Sequence, residues 1–302
     1  MVVCGNVTGD RTRDAVAIYD GHGGQQLALD CAVHVDTHLA RALTDPVPDA
    51  DADADADADT VPARLARLLH EANEAARREQ RTLEGTTALL GVFTHSNNSD
   101  GSNNTSSDGN SGSGSNGDPH TVLHVACVGD SRAVLSRAGR AVALSVDHKP
   151  LEHGERARIF AAGGVVRSDG RLNGQLAVAH ALGDYALQPA LSERADVTAT
   201  ALTRVDELAI FACDGLWDVI DAQTAVDIAR TAVARKAAVP CAHVPPSVYA
   251  ALALRDAAYA AGSKDNISVI VVVFPHALPH LSSLDTDTAP APEPAPEPEP
   301  EP

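Results

Sequence analysis

Apolar residues follow two alternating rhythms along this chain. Short runs rich in Val, Ile, Leu and Ala, at 15–19, 88–93, 121–128, 132–136, 141–146, 197–202, 207–213 and 267–274, have the length and β-branched content of strands. Elsewhere the spacing is helical. Leu27, Cys31, Val35 and Leu39 repeat every four residues within 24–43. Val61, Leu65, Leu68, Leu69, Ala72 and Ala76 form one stripe within 61–83, behind a Thr60 suited to cap a helix. Further helices are predicted over 222–236, 247–261 and 153–162, the last stopping at Gly163-Gly164, where a left-handed cap is expected. The strands come in consecutive clusters joined by short turns instead of alternating one by one with helices. That order predicts an α+β fold of mainly antiparallel sheets covered by helices.

Three segments break both rhythms. Residues 49–59 alternate Asp and Ala, so an extended conformation would line one face with carboxylates; residues 96–118 are almost wholly Ser, Asn, Gly and Asp; the C-terminal stretch ends in Ala-Pro and Glu-Pro repeats. None offers apolar surface to offset the entropy of ordering. The reading is therefore one domain over 1–275 carrying insertions at 49–59 and 96–118, and a disordered acidic tail over 276–302.

Charge follows the same division. Of the net charge of −18, fifteen negative charges sit in 49–59, 96–118 and 285–302. The remainder is close to neutral, which argues against nucleic-acid binding and against electrostatic attraction to anionic membranes. The apolar run Val269–Phe274 is far shorter than the roughly 20 residues of a membrane span. Five scattered cysteines, never spaced as C-x-x-C, suggest neither a disulfide framework nor a zinc knuckle. With no secretory leader ahead of them, they fit a reduced cytoplasmic or nuclear setting, and the chain is read as a monomer.

Acidic residues recur where strands end or begin. Asp20-Gly21-His22-Gly23-Gly24 follows the first run, Gly129-Asp130-Ser131-Arg132 the third, and Asp214-Gly215-Leu216-Trp217-Asp218 the seventh; Lys264-Asp265-Asn266 precedes the last. An Asp-Gly after a strand is by itself usually only a turn. Four such corners on a shared rim would bring mutually repelling carboxylates together. Oxygen donors without a second His or Cys at ligand spacing suit Mg²⁺ or Mn²⁺ before Zn²⁺, and paired ions of that kind suit phosphate-ester hydrolysis. His22 lies two residues from the first carboxylate, where it would serve equally as a general acid or as a polar cap on the helix behind it.

The ordered set of motifs resembles the metal-dependent protein serine/threonine phosphatases of type 2C (PPM). It comprises Asp20–Gly24; Gly85-Thr86-Thr87-Ala88; Val128–Ala133; Asp147-His148-Lys149-Pro150; Ala162-Gly163-Gly164; Leu176–Val178 with Ala181-Leu182-Gly183-Asp184; Ala212–Asp218; and Gly262–Asn266. The resemblance covers roughly 14–274 and implies two packed antiparallel β-sheets flanked by helix pairs, an α-β-β-α sandwich. It further implies hydrolysis of phosphoserine and phosphothreonine in protein substrates by a metal-bridged hydroxide, with two Mg²⁺ or Mn²⁺ ions and a third, weaker site. By position, Asp20 resembles the carboxylate bridging both metals and Gly21 the residue lending a backbone carbonyl. Asp214 and Asp265 resemble ligands of the second metal, and Asp130 and Asp218 those of the third. His22 resembles the general acid, and Asn266 a polar neighbour of the metal water and phosphate. Cys213, in an apolar strand, reads as a buried small hydrophobe.

Two departures accompany the resemblance. Ala179-His180 stands where the family usually has Ser-Arg. The family's upstream Arg and Glu-Asp pair has no counterpart in the 19 residues before Asp20. Asp14 is too close to Asp20 to replace it, so Val2 to Val7 is read as the later half of that earlier strand, the missing motif then falling before Met1. A form without it would hydrolyse slowly, and the alternative function is a catalytically impaired relative that binds phosphoproteins.

Overall fold

The computed structural model describes residues 2–4, 13–44, 60–78, 84–96, 120–237 and 244–282. Its core is two antiparallel sheets. The first has strands β1 (Val2–Cys4), β2 (Arg13–Ile18), β5 (Ala88–Ser96), β6 (His120–Val128) and β10 (Asp196–Ala201), hydrogen-bonded in that order. The second has β12 (Val269–Val273), β11 (Asp206–Ala212), β7 (Arg132–Arg137) and β8 (Arg140–Ala143), again in that order. A small third sheet joins β3 (Gly21–His22), β4 (Gly85–Thr86) and β9 (Leu182–Gly183). Pairing of Val2 with Ala17 and Cys4 with Ala15 makes Val2–Cys4 a strand, as read; the rest of the Val2 to Val7 segment and the turn after it lie outside the described residues.

Strand periodicity sorts residues into separate apolar layers. In β2 and β11, Val16, Ile18, Ala209 and Phe211 point between the sheets. Their sequence neighbours Ala15 and Ala17 pack instead with helices α1 (Gln26–Thr44) and α2 (Val61–Arg78). Leu208, Ile210 and Ala212 likewise turn toward α5 (Ala222–Ala237) and α6 (Pro246–Ala260). Four layers follow, helix pair, sheet, sheet, helix pair, as expected. At Gly91 the sheets approach so closely that a Cβ would overlap the Phe211 ring. A satellite cluster under α3 (His153–Ala161) gathers Ile159, Leu172, Val178 and Leu191.

Some expectations need correction. The domain does not stop at 275: α7 (Leu278–Ser282) follows a 3₁₀ turn at Pro275–Ala277, and Ala277 and Leu281 are buried with α5 and α6. A single apolar turn is too short to show as periodicity. Asp214–Trp217, for which no helix was expected, is the short helix α4. The two-residue strands β3, β4 and β9 also carry no pattern of their own. The segments 49–59, 97–118 and 283–302, and the last residues of the 61–83 helix, lie outside the described residues.

Candidate active site

Antiparallel pairing sends β2 and β6, both neighbours of β5, in the same direction, so Asp20 and Asp130 leave the first sheet at one rim. In the second sheet Ala212 pairs with Val269, which puts Asp214, just past β11, beside the segment carrying Asp265. Metal-ligating atoms of Asp20, Cys213 and Asp214 all lie within 4.8 Å of one another. The Asp20 and Asp214 carboxyls thus lie close together at the rim. Burial and then the charges of Asp130, Asp20, Asp265 and Asp218 push Asp214 up to about 7. Burial and then Asp265 also raise Asp20. Oδ1 of Asp214 is buried without a hydrogen-bond partner.

The backbone around these carboxylates is fixed by paired contacts. Asp20 and Thr87 exchange two bonds, Asp20 N–H to Thr87 Oγ1 at 3.2 Å and Thr87 N–H to the Asp20 carbonyl at 2.9 Å. Gly129 N–H donates to His148 Nδ1 at 3.1 Å, and His148 N–H to the Gly129 carbonyl at 3.0 Å, clamping the Asp130 turn to the 147–150 segment. Arg132 forms a bidentate pair with Asp147 (2.9 and 2.6 Å) while stacking over Trp217, whose Nε1–H donates to the Ala212 carbonyl at 2.9 Å. The Cys213 thiol donates to the Asn266 carbonyl at 3.1 Å, and Ser263 Oγ donates to the Gly215 carbonyl at 2.7 Å.

His22 lies on β3 with its Nε2 against Oδ2 of Asp184, a nearly buried carboxylate. Gly85, opposite His22 across β4, leaves room for that pair, because a Cβ there would overlap both Asp184 Oδ2 and His22 Nε2.

The predicted residues therefore fall into groups. Asp20 and Asp214 are within ligand reach of each other. Asp130, Asp218 and Asp265 lie near enough for their charges to act on Asp214. Gly21 is exposed on β3 between Asp20 and His22, and exposed Asn266 contributes through its backbone. Cys213 is buried, with its thiol pKa raised first by burial, as the small-hydrophobe reading expects. Asp14 is not at the rim: it pairs with Phe93 at the far end of β2.

Two residues of the site were given no role from sequence, Asp184 behind His22 and Lys149 beside Asp130. Each ends or sits inside a motif already singled out, which is the only signal they carry. The His180 departure is absorbed by packing: the ring stacks on His148 at 3.8 Å, and its Nδ1 lies 2.8 Å from the Arg194 carbonyl. Burial and then His148 lower its pKa, while Nε2 lies 3.1 Å from Oε2 of Glu155.

Among the described residues no Lys or Arg forms an ion pair with Asp20 or Asp214, although both carboxyls are raised by burial and by neighbouring acids. An orphaned buried oxygen among hard donors is what a divalent cation would satisfy, so the residues fit the metal ions implied by the motifs.

Comparison with known proteins agrees. The family model described as Protein phosphatase 2C matches residues 2–267. "Probable protein phosphatase 2C 8" of Oryza sativa subsp. japonica is 36% identical over 270 residues, covering 85% of this chain and 61% of that protein. "Protein phosphatase 2C 77" of Arabidopsis thaliana is 34% identical over 274 residues, covering 84% of this chain and 58% of that protein. The chain thus spans less than two thirds of either relative. The fold is shared with a phosphatase from a pathogenic strain of Toxoplasma gondii, at a TM-score of 0.65 and 21% identity, covering 88% of this chain and 85% of that one. It is also shared with a C. elegans sex determining protein, at a TM-score of 0.68 and 21% identity, covering 91% of this chain and 60% of that one. By the motifs, the four-layer fold and the matched family model, the chain belongs to the protein phosphatase 2C family.

Proposed function

We propose that this chain is a metal-dependent protein serine/threonine phosphatase acting on phosphorylated proteins, with two Mg²⁺ or Mn²⁺ ions and a third, weaker one. The observation that carries the reading is the Asp214 carboxyl, raised to about 7 and with one oxygen orphaned among Asp20, Asp130 and Asp265. A binding module has no physical need to keep such repulsion. Asp20, the Gly21 carbonyl, Asp214 and Asp265 would hold the two main ions, and Asp130 with Asp218 the third. Ions bound there would supply Lewis acidity toward phosphoryl oxygen and activate water.

The chain's own contribution is positioning and proton transfer. Thr87 and the Cys213–Asn266 contact hold the carboxylates in register from the two sheets. Asp184 fixes the His22 imidazole, partly open to solvent, where it would donate a proton to the departing seryl or threonyl oxygen. Asn266, exposed beside Asp265, would stand next to the phosphate. The protein is read as a cytoplasmic or nuclear monomer that engages neither nucleic acid nor membrane; no helix among the described residues is long and apolar enough to cross one.

The test is release of phosphate from a phosphothreonine peptide with Mn²⁺ and with EDTA. Turnover should require Mn²⁺, and Asp214→Asn should lower kcat/KM about 10²–10³-fold, the size expected for one electrostatic contact in the transition state. Metal-independent turnover, or an unimpaired variant, would refute the reading.

A further inference from the structure

Lys149 is the one lysine or arginine among the described residues that pairs with the rim carboxylates. Its Nζ contacts Oδ2 of Asp130, which is 3% exposed, and lies 3.8 Å from Oδ1 of Asp218. Those two carboxylates are the pair assigned above to the weaker third ion. The placement is built rather than incidental. The turn carrying Lys149 is pinned on three sides: Asp147 by Arg132, His148 by the two bonds to Gly129, and the His148 carbonyl by the Ala179 N–H at 2.7 Å. Lys149 itself accepts Glu152 N–H at its carbonyl, at 3.0 Å. The scaffold that presents Asp130 therefore also presents the ammonium that neutralises it.

We propose that Lys149 is a resident counter-ion for the outer carboxylate pair, and that a divalent ion binds Asp130 and Asp218 only by displacing it. The inference rests on the metal-phosphatase reading of the site. One cation cannot be added beside another in the same carboxylate pair without repulsion, so ammonium and metal compete, and the competition makes the outer site weaker than the inner ones. The inner carboxylates Asp20 and Asp214 have no such ion-paired competitor among the described residues. After displacement, the freed ammonium would lie beside the site with no carboxylate partner from that pair.

The test is a Mn²⁺ titration of the full chain, counting free Mn²⁺ by electron paramagnetic resonance to resolve tight and weak classes, with wild type, Lys149→Met and Lys149→Arg. Lys149→Met should tighten the weak class at least tenfold and leave the tight class within about twofold. It should also lower the metal-free melting temperature, because Asp130 loses its cation, and Mn²⁺ should reverse that loss. Lys149→Arg should bind as wild type does. A weak class unchanged or weakened in Lys149→Met would overturn the inference while leaving the phosphatase reading intact. Wild type binding no Mn²⁺ in either class would overturn both. Should Lys149→Met fail to fold, wild type alone decides. Acetylation of Lys149 by an amine-reactive ester, read by mass spectrometry, should rise as the weak class fills, and constant or falling reactivity would overturn the proposal.

Discussion

The two ends of β11 place acidic residues in opposite circumstances. At its start Asp206 and Glu207 are buried, yet each has a guanidinium: Arg137 holds Asp206 at 2.7 and 3.1 Å, and Arg230 lies 2.9 Å from Glu207. Gly139 N–H adds a bond to Glu207 at 2.9 Å. Burial alone would raise Asp206, but Arg137 and then Thr203 outweigh it and leave its pKa lowered. Just past the strand's other end, burial and then four neighbouring acids push Asp214 up to about 7. One strand thus carries ion-paired acids at one end and, past the other, an Asp20–Asp214 pair with no Lys or Arg partner among the described residues. The first kind of site ties the sheet to α5 and the reversal after β7; the second stores a demand for cations.

The sharpest break of this comparison is at the satisfied end. Arg230→Met would leave Glu207, 3% exposed, without its guanidinium, and should destabilise the fold by about 3–5 kcal/mol, read by urea denaturation. A loss under about 1 kcal/mol, no more than an exposed pair contributes, would show that the network does not hold the strand.

A smaller effect separates the ends by pH. Asp214 has a raised folded-state pKa, so in the absence of metal its contribution is fully present below the ordinary carboxylate range near 3.8 and is lost as pH rises toward about 7. Asp206, lowered, contributes above that range and loses its contribution as pH falls through and below it. In EDTA the melting temperature of wild type should therefore fall between about pH 5 and 7 relative to that of Asp214→Asn, and Mn²⁺ should flatten the difference. Parallel pH profiles for the two proteins would remove the electrostatic distinction between the strand ends.

The fold was legible where a pattern repeats. The apolar runs of β2, β5, β6, β7 and β11 marked strands, and the stripes of α1 and α2 one helical face each; which layer each strand residue faces comes from the packing. Legibility failed where an element is too short to repeat, as in β3, β4, β9 and α7. It is Leu281's burial against α5 and α6, a tertiary fact, that makes α7 part of the domain. At the site, Asp20, Asp130, Asp214 and Asp265 could be read because each sits at a strand end. Asp184 and Lys149 could not be given roles, since contacts across 162 residues to His22 and 19 residues to Asp130 leave no local spacing to read. The missing cation at position 180 reads from sequence as a loss; in the fold the His148–His180 stack occupies that place.

The central claim is that the carboxylates beyond the end of β11 form a cation site, and isothermal titration calorimetry with Mn²⁺ at pH 7.5 tests it most directly. The account predicts saturable binding by wild type and at least tenfold weaker binding of the tight class by Asp214→Asn with the fold retained. Wild type that takes up no Mn²⁺, or an Asp214→Asn protein that binds it equally well, would contradict the account.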